Sequence, residues 1–301
     1  MRRAAILLAL LPPLLAAAPV SMVASPLPPE AQWKADIAGQ NEAYARRTHA
    51  MLKIQDSVYL GEGDTAVLTG IKGRLGSWKW SRDGKGPLTL ALKGGKLTVT
   101  KDGRPVDPRL ITASVTVDTD VDIAGQPTQV GAGIEGWRIF VYNQKNPDAL
   151  GFKGVSYFPY DPAFRVTARF VADPKLPPRV FKTSRGTDKQ FFHAGDALFT
   201  LRGKVVRLPF YTDGHETKAV KDMSAFFRDD LTNNGAYGAG RYVDIAGFGA
   251  FPPKTVLIDF NGAYNPNCAR SAHYTCPLAV DAIPLAMTVG ERDPHFHAGR
   301  R

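Results

Sequence analysis

Between residues 57 and 260 the chain is a succession of short apolar runs, each closed by turn-forming residues. Ser57–Leu60, Thr65–Thr69, Ser77–Trp80, Leu88–Leu92 and Lys96–Lys101 are broken by glycine-rich turns such as Asp83-Gly84, Gly94-Gly95 and Asp102-Gly103. This is the punctuation of antiparallel strands. Trp137–Tyr142 and Ala163–Ala172 extend the series. Arg179–Thr183, Ala197–Leu201, Val205–Tyr211, Ala225–Arg228, Arg241–Ile245, Thr255–Phe260 and Ile283–Val289 carry it to the C-terminal end. Such a pattern predicts a mainly β fold of antiparallel, sandwich- or barrel-like sheets. One strand is expected over Ala113–Ile123, with Val115, Val117, Thr119, Val121 and Ile123 on its inner face. Asp118, Asp120 and Asp122 would then line a solvated outer face, because a straight strand cannot curl around a calcium ion.

One helix is expected in front of the strands. Trp33, Ile37, Tyr44, Thr48, Met51 and Leu52 recur at three- and four-residue spacings after Pro28-Pro29, predicting a helix from Glu30 to about Gln55 that packs on a sheet. The resulting division is a linker and helix over 25–56, a β-rich region over 57–173 and a C-terminal β-rich region over 174–301. The Pro-rich stretch 174–178 marks the junction, whether between two domains or within one.

Residues 1–24 have the form of a secretory signal. Arg2 and Arg3 precede a short apolar run, Ala4–Ala18, interrupted by Pro12 and Pro13, and small residues lead to Ala24. The run is too short to span a bilayer, and no stop-transfer segment follows. The expectation is a periplasmic or secreted protein without a transmembrane segment after signal removal. Losing Arg2 and Arg3 lowers the formal charge of +10 by two. A basic exported chain is drawn to an anionic small molecule, a glycan or a membrane surface. The lysines and arginines are dispersed and no basic block interleaves with aromatics, so nucleic acid is not an expected partner.

The two cysteines, Cys268 and Cys276, lie close together. In an exported chain this favours a disulfide over a thiol nucleophile or a metal pair, and two cysteines without nearby ligands are a weak zinc signal, so no metal is expected. His273, between them, can serve as base to a thiolate if the pair is reduced. No Gly-x-Ser-x-Gly elbow or phosphate loop is present, and no cofactor is expected. Upstream, Arg241–Ile245 and Thr255–Phe260 read as a hairpin. A symmetric register sets Ile245 opposite Thr255, Val243 opposite Leu257 and Arg241 opposite Asp259. Asp259 and Asn261 would share a face, and the turn-rich Gly262–Cys268 segment follows.

Three readings stay open. In the first, Arg241, Asp259, Asn261, Tyr264 and Asn265 bind a polar or anionic ligand. In the second, Asp259 acts as acid or base in a hydrolytic enzyme with Cys268 or His273. In the third, the same residues form a structural latch.

Tyr237-Gly-Ala-Gly-Arg-Tyr242, Asp259-Phe-Asn261, Ala263-Tyr-Asn-Pro266, Cys268-Ala269, Cys276-Pro-Leu278 and Gly290-Glu291 occur in this order. The set resembles the bacterial family called domain of unknown function 1684. The stretch Gly151–Phe170, with Tyr157-Phe-Pro159 and Phe164-Arg-Val-x-Ala-Arg169, is similar too. The resemblance implies no established activity. It implies that Arg241, Asp259, Asn261, Tyr264 and Asn265 form a shared site or a shared latch. The chain departs from the family pattern at Leu231, Asn233, Ala236, Ala279, Val280, Ala282 and Ile283.

Overall fold

The computed structural model describes residues 27–295. The expected signal, residues 1–24, lies outside the described residues. Helix α1 (Pro29–Asn41) begins on a proline, where a missing N–H costs nothing. It is shorter than its apolar spacing suggests. A wide turn at Glu42–Arg46 and a tight one at Met51–Lys53 lead straight into β1 (Ile54–Leu60). Tyr44, Ala45, Met51 and Leu52 still bury together, against Ala149. Tyr44, Met51 and Leu52 of the stripe therefore report one shared cluster and not one continuous helix.

The N-terminal unit is a sandwich of two antiparallel sheets. Strands β2 (Thr65–Thr69), β3 (Lys79–Ser81), β4 (Leu88–Lys93), β5 (Lys96–Lys101) and β6 (Arg104–Val106) form a five-stranded sheet ordered β3-β2-β4-β5-β6. After a short helix, α2 (Arg109–Ala113), strands β7 (Val115–Asp118), β8 (Val121–Gly131) and β9 (Ile134–Asn143) join β1 in the order β1-β9-β8-β7. Leu60, Leu68, Leu88, Leu90, Ile123 and Ile139 from both sheets fill the core.

The expected strand Ala113–Ile123 is thus two strands and a turn. Asp120 takes the left-handed backbone conformation (φ 62°) and folds β7 back on β8. A period-two pattern runs unbroken through a two-residue turn, which is why the sequence conceals it. Asp118 is also not solvated. It is buried and accepts hydrogen bonds from the Gly73 backbone N–H (2.7 Å) and from Trp78 Nε1 (3.0 Å).

The C-terminal unit follows α3 (Pro147–Leu150). It contains β10 (Arg165–Ala172), β11 (Pro178–Lys182), β12 (Asp188–Leu201), β13 (Lys204–Thr212), β14 (Asp222–Arg228), β15 (Arg241–Ala246), β16 (Thr255–Asp259) and β17 (Asp281–Ala282). Its main path is β15-β14-β13-β12-β10-β16, with β11 on β12 and β17 parallel to β14. The path curls into a nearly closed barrel around Phe164, Phe170, Phe210, Phe227, Ile258 and Phe260. Because β10 pairs with both β12 and β16, the junction expected at residues 174–178 falls inside one sheet.

The expected hairpin is not formed. Strand β15 pairs with β14, from Asp222 opposite Ala246 to Phe227 opposite Arg241, while β16 pairs with β10. The two strands are the facing edges of the barrel seam, and Tyr242 of β15 bridges to Tyr264 beyond the end of β16. Alternation names the inward face of a strand but not its ladder partner. No helix among the described residues is long and apolar enough to cross a membrane.

Candidate functional site

Arg241 opens β15 and is 1% exposed. Its partner is not Asp259. Asp229, just past the end of β14, accepts from Arg241 Nη2 at 2.6 Å, with both side chains 1% exposed. The remaining bonds go to the C-terminal segment. Nη2 donates to the Met287 carbonyl (3.0 Å), and Nη1 donates to the carbonyls of Val289 and Glu291. Ile283–Val289, expected as a strand, forms no ladder, and the pairing of β17 with β14 stops at Ala282. The C-terminal segment bends at Leu285 and again near Gly290, with tight backbone turns from Ile283 to Leu285 and from Ala286 to Thr288, and the Arg241 guanidinium gathers three of its carbonyls. Two family glycines make room. A Cβ on Gly240 (φ 90°) would stand 2.7 Å from the Phe227 carbonyl oxygen, and one on Gly290 (φ 79°) 2.9 Å from that of Ala263.

A second buried pair lies beside it. Glu291, fully buried, meets the Arg270 guanidinium through Oε1 and accepts from the Asn265 backbone N–H through Oε2 at 2.7 Å. Burial pushes the Glu291 carboxyl up, and the Arg270 guanidinium opposes that. Asn265 Nδ2 donates to the Arg292 carbonyl (2.7 Å). Asn261 is 1% exposed. Its side chain brackets Asp161, accepting from the N–H (2.8 Å) and donating to the carbonyl (3.0 Å). Its own carbonyl accepts from Trp33 Nε1 at 2.9 Å, which ties α1 to the barrel. Asp259 caps the Phe260–Gly262 turn through the Asn261 N–H (3.0 Å) and side-chain amide (2.8 Å). The other Asp259 oxygen faces Arg165 Nε at 3.6 Å.

Arg241, Asn261 and Asn265 thus bond to other groups of the protein, while Arg241 Nε and Asn265 Oδ1 are buried without a partner. Asp259, although bonded to Asn261, also reaches the surface, as does Tyr264. They line a groove at the barrel seam with Trp33, Asp36 and Asp244. Burial and the Asp244 carboxylate, which accepts from the Tyr264 hydroxyl at 2.8 Å, hold the Tyr264 phenol above its ordinary range. Cys268 and His273 lie in a different cleft, lined also by Ser57, Ser184, Arg185 and Tyr237. Asp259 therefore shares no pocket with the thiol or the imidazole. His273 Nδ1 bonds Ser57 Oγ (3.1 Å), and burial pushes the imidazole down. The expected disulfide is absent: Cys268 and Cys276 are free thiols.

A pocket of about 630 Å³ escaped sequence reasoning. Residues of the α3 loop, the Arg270 turn and the C-terminal segment form it, including Phe152, Lys153, Arg270, Arg292 and His295. Arg270 is 8% exposed and held by Glu291 and by the Tyr44 ring 5.4 Å from its guanidinium carbon. Arg292 lies over the Phe158 ring at 4.5 Å. His295 Nε2 is spent on the Ala269 carbonyl at 2.9 Å. The available signal was positional, since Arg270 and Arg292 directly follow the family's Cys-Ala and Gly-Glu pairs. Among the described residues no cluster of His, Cys, Asp and Glu can hold a metal ion.

No curated protein matches the chain. A solution NMR structure of an uncharacterized protein from Haloarcula marismortui is similar at 28% identity, covering 50% of this chain and 83% of that one, with a TM-score of 0.42. The model of the family described as "Protein of unknown function (DUF1684)" matches residues 150–292, the stretch that holds the barrel, both buried ion pairs and the cysteines. The C-terminal half of the chain belongs to that family.

Proposed function

We propose that the protein is exported and binds a small anionic molecule in the pocket formed by Lys153, Arg270 and Arg292. The observation that carries this reading is the fixed basic wall. Arg270 is anchored from behind by Glu291, and Arg292 is braced on Phe158. A planar guanidinium held in one orientation suits carboxylate or phosphate oxygens. Asp148 and Asp293 at the same pocket set a limit on how much negative charge it accepts. Its volume of about 630 Å³ fits a small molecule. The latch contributes indirectly, because Glu291 both accepts from Asn265 and holds Arg270. Export rests on the N-terminal sequence and is checked by N-terminal sequencing of the mature protein.

Binding is tested by melting at low salt in the presence of inorganic phosphate, a dicarboxylate or anionic-lipid vesicles. A bound anion at about 100 times its Kd stabilises by about 2.7 kcal/mol. The shift should appear in the wild type and vanish in a folded Lys153→Ala/Arg292→Ala variant. Equal shifts in both proteins, or none with any probe, would sink the reading. A response to vesicles alone would replace a small molecule by a membrane surface.

A further inference from the structure

A second cleft, of about 690 Å³, opens where the two β units meet and is independent of the basic pocket. Ser57 comes from β1 of the N-terminal unit. Ser184, Tyr237, Cys268 and His273 come from loops of the barrel. Cys268 is half-buried and forms part of the cleft wall, while Cys276 is buried behind it. The Cys268 backbone N–H points at Cys276 Sγ (3.4 Å). The Cys276 N–H points at Ser184 Oγ (3.3 Å), and the Ser184 N–H donates to the Cys276 carbonyl (2.9 Å). The turn thus holds one thiol at the solvent side and the other directly against it.

We propose that Cys268 and Cys276 form a hydroperoxide-reactive dithiol, with Cys268 as the attacking thiol and Cys276 as the resolving one. The outer position gives Cys268 the access an oxidant needs, and the inner one denies it to Cys276. The Cys276 thiol, the Ser184 hydroxyl and the Tyr237 hydroxyl all lie close to the Cys268 sulfur. Led by Cys276, they hold the Cys268 thiol below its ordinary range, and the same contact pushes Cys276 up. The nucleophile is the thiolate, so this asymmetry selects which sulfur reacts first.

The chemistry balances in two steps. The Cys268 thiolate attacks one peroxide oxygen, an S–O bond forms and the O–O bond breaks. The departing alkoxide or hydroxide takes a proton and leaves as alcohol or water, and Cys268 becomes a sulfenic acid. The Cys276 thiol then attacks that sulfur. An S–S bond forms, the S–O bond breaks and water leaves. An external dithiol restores both thiols by exchange. In an oxidising compartment the same pair would rest as a disulfide between turnovers, which distinguishes it from a permanent staple by its reversibility.

The experiment uses the full reduced chain and stoichiometric hydrogen peroxide, read by intact-mass and peptide mass spectrometry. The wild type should lose two hydrogen atoms and regain them with dithiothreitol. Cys276→Ser should instead stop at the sulfenic acid, trapped by dimedone at residue 268. Cys268→Ser should react at least about tenfold more slowly than wild type. The proposal fails if Cys276 in Cys268→Ser oxidises as fast as the wild-type pair, or if peroxide leaves the wild-type thiols free. Should either variant not fold, differential alkylation of the wild type decides. Dimedone capture at Cys268 in competition with bridging supports the proposal, and capture at Cys276 overturns it.

Discussion

Arg241 and Asp229 meet at 2.6 Å with both side chains 1% exposed. The pair lies between the end of β14 and the carbonyls of Met287 and Val289. Removing one member of a buried ion pair leaves the other charged and unsolvated, at a cost of about 3–5 kcal/mol. Arg241→Ala and Asp229→Ala should each destabilise by this amount in urea unfolding. The double variant should lose much less than the sum. Additive losses would show that the two side chains are not coupled.

Gly290 is required by its backbone. Its φ of 79° and the Ala263 carbonyl oxygen 2.9 Å from the site of a Cβ predict that Gly290→Ala costs about 1–3 kcal/mol. Gly262, where a Cβ would meet nothing within 4 Å, is the control, and Gly262→Ala should be close to neutral. Matching melting temperatures for the two variants would contradict this account.

Trp33 holds α1 to the barrel through the Asn261 carbonyl (2.9 Å) and by packing on Tyr160, with ring centroids 5.5 Å apart. Trp33→Phe removes the bond and keeps most of the ring, so global stability should fall by only about 1 kcal/mol. Proteolysis within residues 29–41 should accelerate clearly. An unchanged cleavage rate would mean that the indole bond does not secure the helix.

Asp118 should contribute to the acid limb of stability. The Gly73 N–H, foremost, and then Trp78 and Thr119 hold its carboxyl below the ordinary Asp value. A depressed carboxyl stabilises the fold above its unfolded-state pKa, and that contribution is lost as pH falls through the folded-state value. Asp118→Asn should therefore be less stable than wild type near neutrality, and the gap should narrow in acid. A gap that stays constant with pH would exclude the ionised carboxylate as its source.

Much of the fold was legible because its signals are local. Thr65–Thr69 and Lys96–Lys101 are strands with the expected bounds, since alternation and flanking turns lie within each segment. Asp259 and Asn261, expected on one face, are hydrogen-bonded across two residues of chain. Non-local choices were not legible. Asp229 and Asp259 offer Arg241 the same charge, and only the order of strands around the barrel decides between them. Asp118 was expected in water because a two-residue turn preserves the alternation that it interrupts. The basic pocket escaped for a similar reason, since Lys153 stands far along the chain from Arg270 and Arg292, with no pattern to link them.

The guanidinium of Arg241 has a consequence for when this protein can become itself. Its carbonyl acceptors belong to residues 287, 289 and 291, some fifty positions later in the chain. While synthesis has reached only residue 280, every strand on the barrel's main path already exists, yet Arg241 has no carbonyl ready to receive it. Burying it then would leave most of its donors without acceptors. The barrel cannot bury Arg241 with its donors paired before residues 287–291 are in place, so completion of the fold is timed by the arrival of a segment that belongs to no strand.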